Sequence, residues 1–300
     1  MPEREVRIYE VGPRDGLQNE PNPIPTDAKL RFIAMLGEAG LREIEATSFV
    51  SPRSVPQLAD ADELMARLER RPGVRYPVLV PNERGMSRAV HAGADAICVF
   101  TAASEAFVQH NIGMSIAESI AAFAPVMTQV REGGLWSRGY LSTAFGCPYQ
   151  GAVAEAAVVG VAQELVRLGV DEVSIGDTIG VAGPADVRRV VGALLNAGIP
   201  TPRLAMHFHD TRGTALANVT TALEMGIRTF DSSSGGTGGC PYAPGAAGNL
   251  ATEDLVYLLD REGLSHGVAL EGVLSAARFI SEAIGRPLAT KVGQAGGWTA

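Results

Sequence analysis

Cysteine is scarce in this sequence, and the three present, Cys98, Cys147 and Cys240, are an odd number at wide spacing. The first residues, Met-Pro-Glu-Arg-Glu, form no apolar signal segment. Together these features predict a reducing, cytoplasmic compartment rather than a disulfide-stapled secreted chain. The first predicted strand begins so early that no room is expected for an organellar transit peptide. Basic charge is also in deficit: 25 Lys and Arg face 33 Asp and Glu, a net charge of −8, with no run of basic residues to follow a phosphate backbone. Nucleic acid is therefore not an expected partner. Long apolar runs are missing too, since the stretch near residues 152–162 already contains Glu155 and falls short of the roughly 20 residues that cross a bilayer. No membrane segment is predicted. Nor does a linker rich in Pro, Ser or charge divide the 300 residues, so one domain is expected over 1–300. Its barrel would span about 5–250 and a C-terminal helical extension about 251–300.

The chain is 46% hydrophobic and has 35 glycines, enough for a large core with many tight turns, which excludes disordered and fibrous classes. Short β-branched runs alternate with amphipathic ones. Five helical segments end in glycine before the next apolar run: Gly40, Gly93, Gly169, Gly198 and Gly226. A left-handed C-terminal cap favours glycine at such positions. Eight strands are predicted near residues 6–11, 43–47, 75–80, 96–101, 139–145, 171–177, 203–209 and 228–233. Thr26 or Asp27 is expected to cap the first helix, and Pro184 to open a helix whose Val187, Val190, Val191, Leu194 and Leu195 form one buried stripe. Eight strand-helix units predict a (β/α)8 TIM barrel of the α/β class. A doubly wound open sheet uses the same alternation.

In a barrel, reactive groups gather at the carboxyl ends of the strands. After the first strand comes Gly12-Pro13-Arg14-Asp15-Gly16-Leu17-Gln18-Asn19-Glu20, dense in ionisable and amide groups but also in ordinary turn dipeptides. His207 and His209 in Met-His-Phe-His-Asp share one face of a strand because side chains alternate. That spacing suits a metal, although such pairs are also found with purely structural roles. The stretch Ser234–Asn249 is glycine-rich and carries Cys240, which suggests a lid rather than a linker, and Asn249 then precedes a helix. Glu45, Asp177-Thr178 and Arg138, the last placed just before the fifth strand, complete the candidates at strand ends. Cys98 reads as a buried small hydrophobe and Cys147 as packing.

These motifs resemble the 3-hydroxy-3-methylglutaryl-CoA lyases, part of a superfamily of metal-dependent TIM-barrel lyases and condensing enzymes. The resemblance runs through Val11–Glu20, Ala46–Pro52, Gly176–Gly180, His207–Asp210 and Gly238–Pro241. Arg-Asp-Gly-Leu-Gln and the paired histidines are shared with isopropylmalate and homocitrate synthases, whereas the cysteine-bearing loop points to the lyases. Thr237 stands where an apolar residue is common in relatives.

The resemblance implies cleavage of the CoA ester to acetoacetate and acetyl-CoA, with a divalent cation (Mg²⁺ or Mn²⁺) held by Asp15, His207, His209 and Asn249. A mixed set of carboxylate, amide and imidazole leaves positions for substrate, unlike a closed thiolate site. It further implies Arg14 opposite the enolate oxygen, Cys240 as the acid that protonates the enolate carbon, and Asp15, His207, Asp177 or Glu45 as the base. Gln18, Arg138 and Thr178 are expected around the substrate. A cytoplasmic homodimer working in leucine breakdown is the setting the resemblance suggests. The rivals are a lyase for a related 3-hydroxyacyl-CoA, a condensing synthase, and a catalytically silent metal- or CoA-binding protein.

Overall fold

The computed structural model describes residues 5–238, 248–287 and 290–296. Its strands are Arg7–Glu10 (β1), Glu43–Ile44 (β2), Thr47–Ser48 (β3), Val78–Leu79 (β4), Ala96–Ala102 (β5), Trp136–Ser142 (β6), Glu172–Asp177 (β7), Leu204–Phe208 (β8) and Thr229–Ser232 (β9). All pair in parallel, in the order β2-β1-β9-β8-β7-β6-β5-β4-β3. β2 and β3 are halves of one stave. The Glu45 N–H donates to Glu10 O on β1 at 2.8 Å, and the Ala46 N–H donates to Pro77 O beside β4 at 2.9 Å. The sheet thus passes from one neighbour to the other across Glu45-Ala46 and closes into a (β/α)8 TIM barrel. The eight predicted strands become nine only through this break.

The local signals act largely as the residue types dictate. Gly40, Gly93, Gly169, Gly198 and Gly226 all have positive φ, between 74° and 99°. Pro184 opens the helix Pro184–Asn196, which buries Val187, Val190, Val191 and Leu194 against the sheet. The first helix, Thr26–Glu38, begins differently from the expectation. Extended Pro25 takes the cap position, so Thr26 and Asp27 fall in the first turn, and the Thr26 hydroxyl donates to Asp60 instead. The helix Leu270–Ile284 packs against Thr26–Glu38, which seats the C-terminal helices on the barrel wall. No described helix is long and apolar enough to cross a membrane.

The barrel axis is charged rather than oily. β6 starts at Trp136, because Trp136 and Ser137 already pair with Ala96 and Ile97. Arg138 is therefore the third residue of the strand and not a residue before it. It is wholly buried, its Nε 3.0 Å from Glu172 and its Nη2 2.6 Å from Asp231, with the guanidinium 3.8 Å from the centre of the Tyr9 ring. Below it, Arg7 pairs with Glu172 and, at 3.4 Å, with Glu43. Removing one member of such a buried set leaves its partner's charge without compensation, a loss of about 3–5 kcal/mol. Cys98 is buried mid-strand beside the Tyr9 hydroxyl at 3.2 Å, and burial pushes its thiol up. Cys147 packs against Ser104.

Candidate active site

The segment after β1 coils into a wide turn, Gly12–Gly16, opened by Pro13, whose lack of an N–H costs nothing there. The Val11 carbonyl accepts N–H groups from Arg14, Asp15 and Gly16 at 3.2, 2.8 and 3.1 Å. This turn sets Arg14 and Asp15 at the carboxyl end of the barrel. Gly16 is required there because a Cβ would lie 2.2 Å from Thr237 Oγ1. On the other side Gly238, with φ 90°, approaches so closely that a Cβ would lie 3.1 Å from Gly16 Cα and 2.6 Å from Asn249 Nδ2.

Arg14 is 6% exposed and lies between two carboxylates, Asp15 Oδ1 and Glu45 Oε2, each at 2.8 Å, with its guanidinium 5.2 Å from the centre of the Tyr140 ring. The Tyr140 hydroxyl donates to the same Glu45 oxygen at 2.8 Å, while Glu45 Oε1 is buried without a partner among the described residues. Burial pushes the Glu45 carboxyl up more than Arg14 pulls it down. For Asp15 burial acts in the same direction, but Arg14, His207 and the Asn249 bond outweigh it and hold the carboxyl low.

β8 carries His207 inward, and His209 follows just past the strand end. The two rings lie 5.3 Å apart, centre to centre. One ligand atom from each of Asp15, His207 and His209 falls within 4.8 Å of the others. Residue 249 is brought to this cluster by an antiparallel bridge to His209, and Asn249 Nδ2 donates to Asp15 Oδ2 at 2.8 Å and to Thr237 O at 3.0 Å. Buried, unpartnered lone pairs are costly. Among the described residues, His209 Nδ1 and Asn249 Oδ1 are both of this kind, and a cation held by the cluster would relieve both. Burial, then neighbouring His207, pulls His209 down to about 3, so its imidazole is neutral as a metal ligand must be. His207 Nδ1 is 3.2 Å from Asp231 Oδ2. Burial lowers its affinity for a proton, but Asp231 more than offsets this.

Asp177 ends β7 and accepts the Val181 and Ala182 N–H groups, both at 3.0 Å. It therefore orders the loop before Pro184 while burial pushes its carboxyl up. Thr178 Oγ1 accepts the N–H of Thr143, the one non-glycine residue with positive φ (57°) among those described. Gln18 is half-buried just beyond the β1 turn. Cys240 lies outside the described residues, as does most of the predicted lid. Arg138 is brought instead to the layer beneath the histidines, where it has no accessible surface for a substrate.

Tyr140, Asp231 and Thr237 were not anticipated. Tyr140 and Asp231 sit on strands at alternating, inward positions, where a polar residue in an apolar run marks the barrel interior. Thr237 uses its main-chain carbonyl, which no sequence motif announces.

A TIM barrel with an acid-imidazole-amide cluster at the carboxyl ends of its strands defines an enzyme scaffold of the α/β barrel class, and a family model described as HMGL-like matches residues 5–280. The chain belongs to this family, and within it to the hydroxymethylglutaryl-CoA lyases; it is a carbon-carbon lyase. The mitochondrial hydroxymethylglutaryl-CoA lyase of Bos taurus is 50% identical over 292 residues, covering 97% of this chain and 90% of the relative. The crystal structure of hydroxymethylglutaryl-CoA lyase from Pseudomonas aeruginosa superposes with a TM-score of 0.95 at 46% identity, covering 97% of each chain. The structure of an HMG-CoA lyase from Acinetobacter baumannii, in complex with coenzyme A and 3-methylmalate, gives 0.93 at 37% identity, with 99% of this chain and 96% of that one covered.

Proposed function

We propose that the chain cleaves 3-hydroxy-3-methylglutaryl-CoA into acetoacetate and acetyl-CoA in a reaction that depends on a divalent cation. The observation that carries the reading is the convergence of Asp15, His207 and His209, with Asn249 bonded to Asp15, beside a nearly buried Arg14. The relative that holds coenzyme A together with 3-methylmalate supports an acyl-CoA substrate bearing a hydroxyl group. Asp15, His207, His209 and Asn249 would hold Mg²⁺ or Mn²⁺, which when bound acidifies the substrate hydroxyl and fixes its orientation.

The chain's own groups perform the remaining tasks. The hydroxyl proton passes to a carboxylate at a strand end, and Glu45 and Asp177 are suited to take it because burial raises their affinity for a proton. As the C2–C3 bond breaks, its electron pair moves onto the acetyl-CoA fragment as an enolate, and the former alcohol becomes the ketone of acetoacetate. Arg14 supplies the fixed positive charge opposite the enolate oxygen, held in place by Glu45 and Asp15. A proton delivered to C2 completes acetyl-CoA, and the family resemblance assigns that delivery to the Cys240 thiol. Gln18 and Thr178 are proposed substrate neighbours.

Acetoacetate release from the CoA ester is the direct test. Chelation should abolish it, and added Mg²⁺ or Mn²⁺ should restore it. Undiminished turnover after complete metal removal would overturn the cation dependence. Free CoA formed from acetyl-CoA and a 2-oxo acid, without acetoacetate release, would identify a condensing synthase instead.

A further inference from the structure

We infer that Asp231 is a positioning residue that fixes the tautomer and orientation of His207 toward the cation, and that Arg138 and Ser174 clamp Asp231 for this purpose. The inference rests on the cation-dependent reading above and adds residues that do not belong to the ligand set. Asp231 is buried on β9, and its two oxygens have separate tasks. Oδ1 accepts from Arg138 Nη2 at 2.6 Å, while Oδ2 accepts from Ser174 Oγ at 2.8 Å and faces His207 Nδ1 at 3.2 Å. Arg138 is itself immobilised by Glu172 and by Tyr9. The carboxylate is thus held on two sides, and its remaining contact among the described residues is with His207 Nδ1, from which it is placed to accept a hydrogen bond.

This arrangement determines which imidazole nitrogen is free. With the hydrogen on Nδ1, the Nε2 lone pair is left for the cluster formed with Asp15 and His209. A metal-bound histidine whose other nitrogen donates to a carboxylate is a recurrent device, and loss of the outer carboxylate usually weakens metal binding by about 10- to 100-fold. Among the described residues His209 has no such hydrogen-bonded carboxylate. The two histidines are therefore unequal: one is locked from behind and the other is held by packing and its backbone bridge.

The replacement Asp231→Asn is nearly isosteric and separates orientation from shape. With Arg138 donating to the amide oxygen, the amide nitrogen faces His207 Nδ1, which must then accept. The ring hydrogen moves to Nε2, where it blocks the lone pair meant for the cation. Two readouts on the full chain test this. Imidazole ¹⁵N chemical shifts of the metal-free protein report the His207 tautomer without any bound ion, and electron paramagnetic resonance titration with Mn²⁺ reports affinity. The expected result is an Nδ1-protonated His207 that becomes Nε2-protonated in Asp231→Asn, with Mn²⁺ affinity reduced about 10- to 100-fold. Ser174→Ala, which leaves every charge in place, should weaken Mn²⁺ several-fold and serves as the working variant should Asp231→Asn fail to fold.

An unchanged tautomer in Asp231→Asn would overturn the inference, as would Mn²⁺ affinity within threefold of the parent in both variants. A tautomer that switches in a protein that binds no Mn²⁺ even as the parent chain would overturn the cation reading alone. In that case the orientation of His207 by Asp231 would stand.

Discussion

Asn249 Nδ2 donates to Asp15 Oδ2 at 2.8 Å, joining two residues 234 positions apart and tying the chain beyond β9 to the turn beyond β1. This bond leaves Asn249 Oδ1 without a partner among the described residues and steadies a carboxylate that Arg14 also holds. Asn249→Ala removes both the amide oxygen and the tether. We expect acetoacetate formation to fall on the order of 100-fold, equivalent to about 2.7 kcal/mol of barrier. The fall should be accompanied by weaker Mn²⁺ binding in a direct titration.

Arg14→Gln is expected to lower kcat by on the order of 100- to 1000-fold, the usual loss when a fixed group opposite a developing oxyanion is deleted. Arg14→Lys should recover little of this. A single ammonium cannot reproduce the planar fork that binds Asp15 and Glu45 at once. Steady-state kinetics of both variants would decide the matter, and near-parent kcat for Arg14→Lys would show that charge alone is sufficient.

Gly16→Ala would place a methyl group 2.2 Å from Thr237 Oγ1 and 2.9 Å from Ser233 Oγ. Overpacking of this kind costs about 1–3 kcal/mol, visible as a lower urea midpoint. The double variant Gly16→Ala/Thr237→Ala should regain part of the loss, because the worst clash is with the Thr237 hydroxyl. Strict additivity of the two single variants would refute the steric account.

Glu10 provides a pH prediction away from the catalytic groups. It accepts N–H groups from Gly12 and Ser234 at 2.8 and 2.9 Å and the Thr252 hydroxyl at 2.7 Å, yet burial pushes its carboxyl from 4.5 up to about 7. The folded state therefore keeps this proton where the unfolded chain has already released it. Its contribution to stability is complete below about pH 4.5 and is lost as pH rises through 7. In that window one such group tilts the stability curve downward by up to roughly 1.4 kcal/mol per pH unit. Glu10→Gln should flatten the curve by that amount in urea unfolding between pH 5 and 7.5. An unchanged slope would place the titration elsewhere.

The parts of this molecule that could be read from residues alone are those set by local chemistry. Glycine helix ends, Pro184 at a first turn and the same-face histidines are short-range features, and the structure bears them out. What escaped depends on distant partners. The second stave breaks at Glu45-Ala46 because two different neighbours take its N–H groups in succession. Arg138 looked like a residue flanking a strand, since Ser137-Arg138-Gly139 interrupts the apolar signal after Trp136, and only pairing with β5 extends β6 back over it. Asp231 is an unremarkable acid until β6, β7 and β8 bring Arg138, Ser174 and His207 around it.

The charged axis of the barrel also bears on engineering this scaffold. From Arg7 through Glu172, Arg138 and Asp231 to His207, opposite charges succeed one another from the lower mouth to the histidines. Filling this column with well-packed aliphatic side chains is the kind of change that often toughens a protein. Here it would give a sturdier barrel whose site had lost its foundation. A thermostable version should instead be sought in the outer helices and surface loops, leaving the axis as it is.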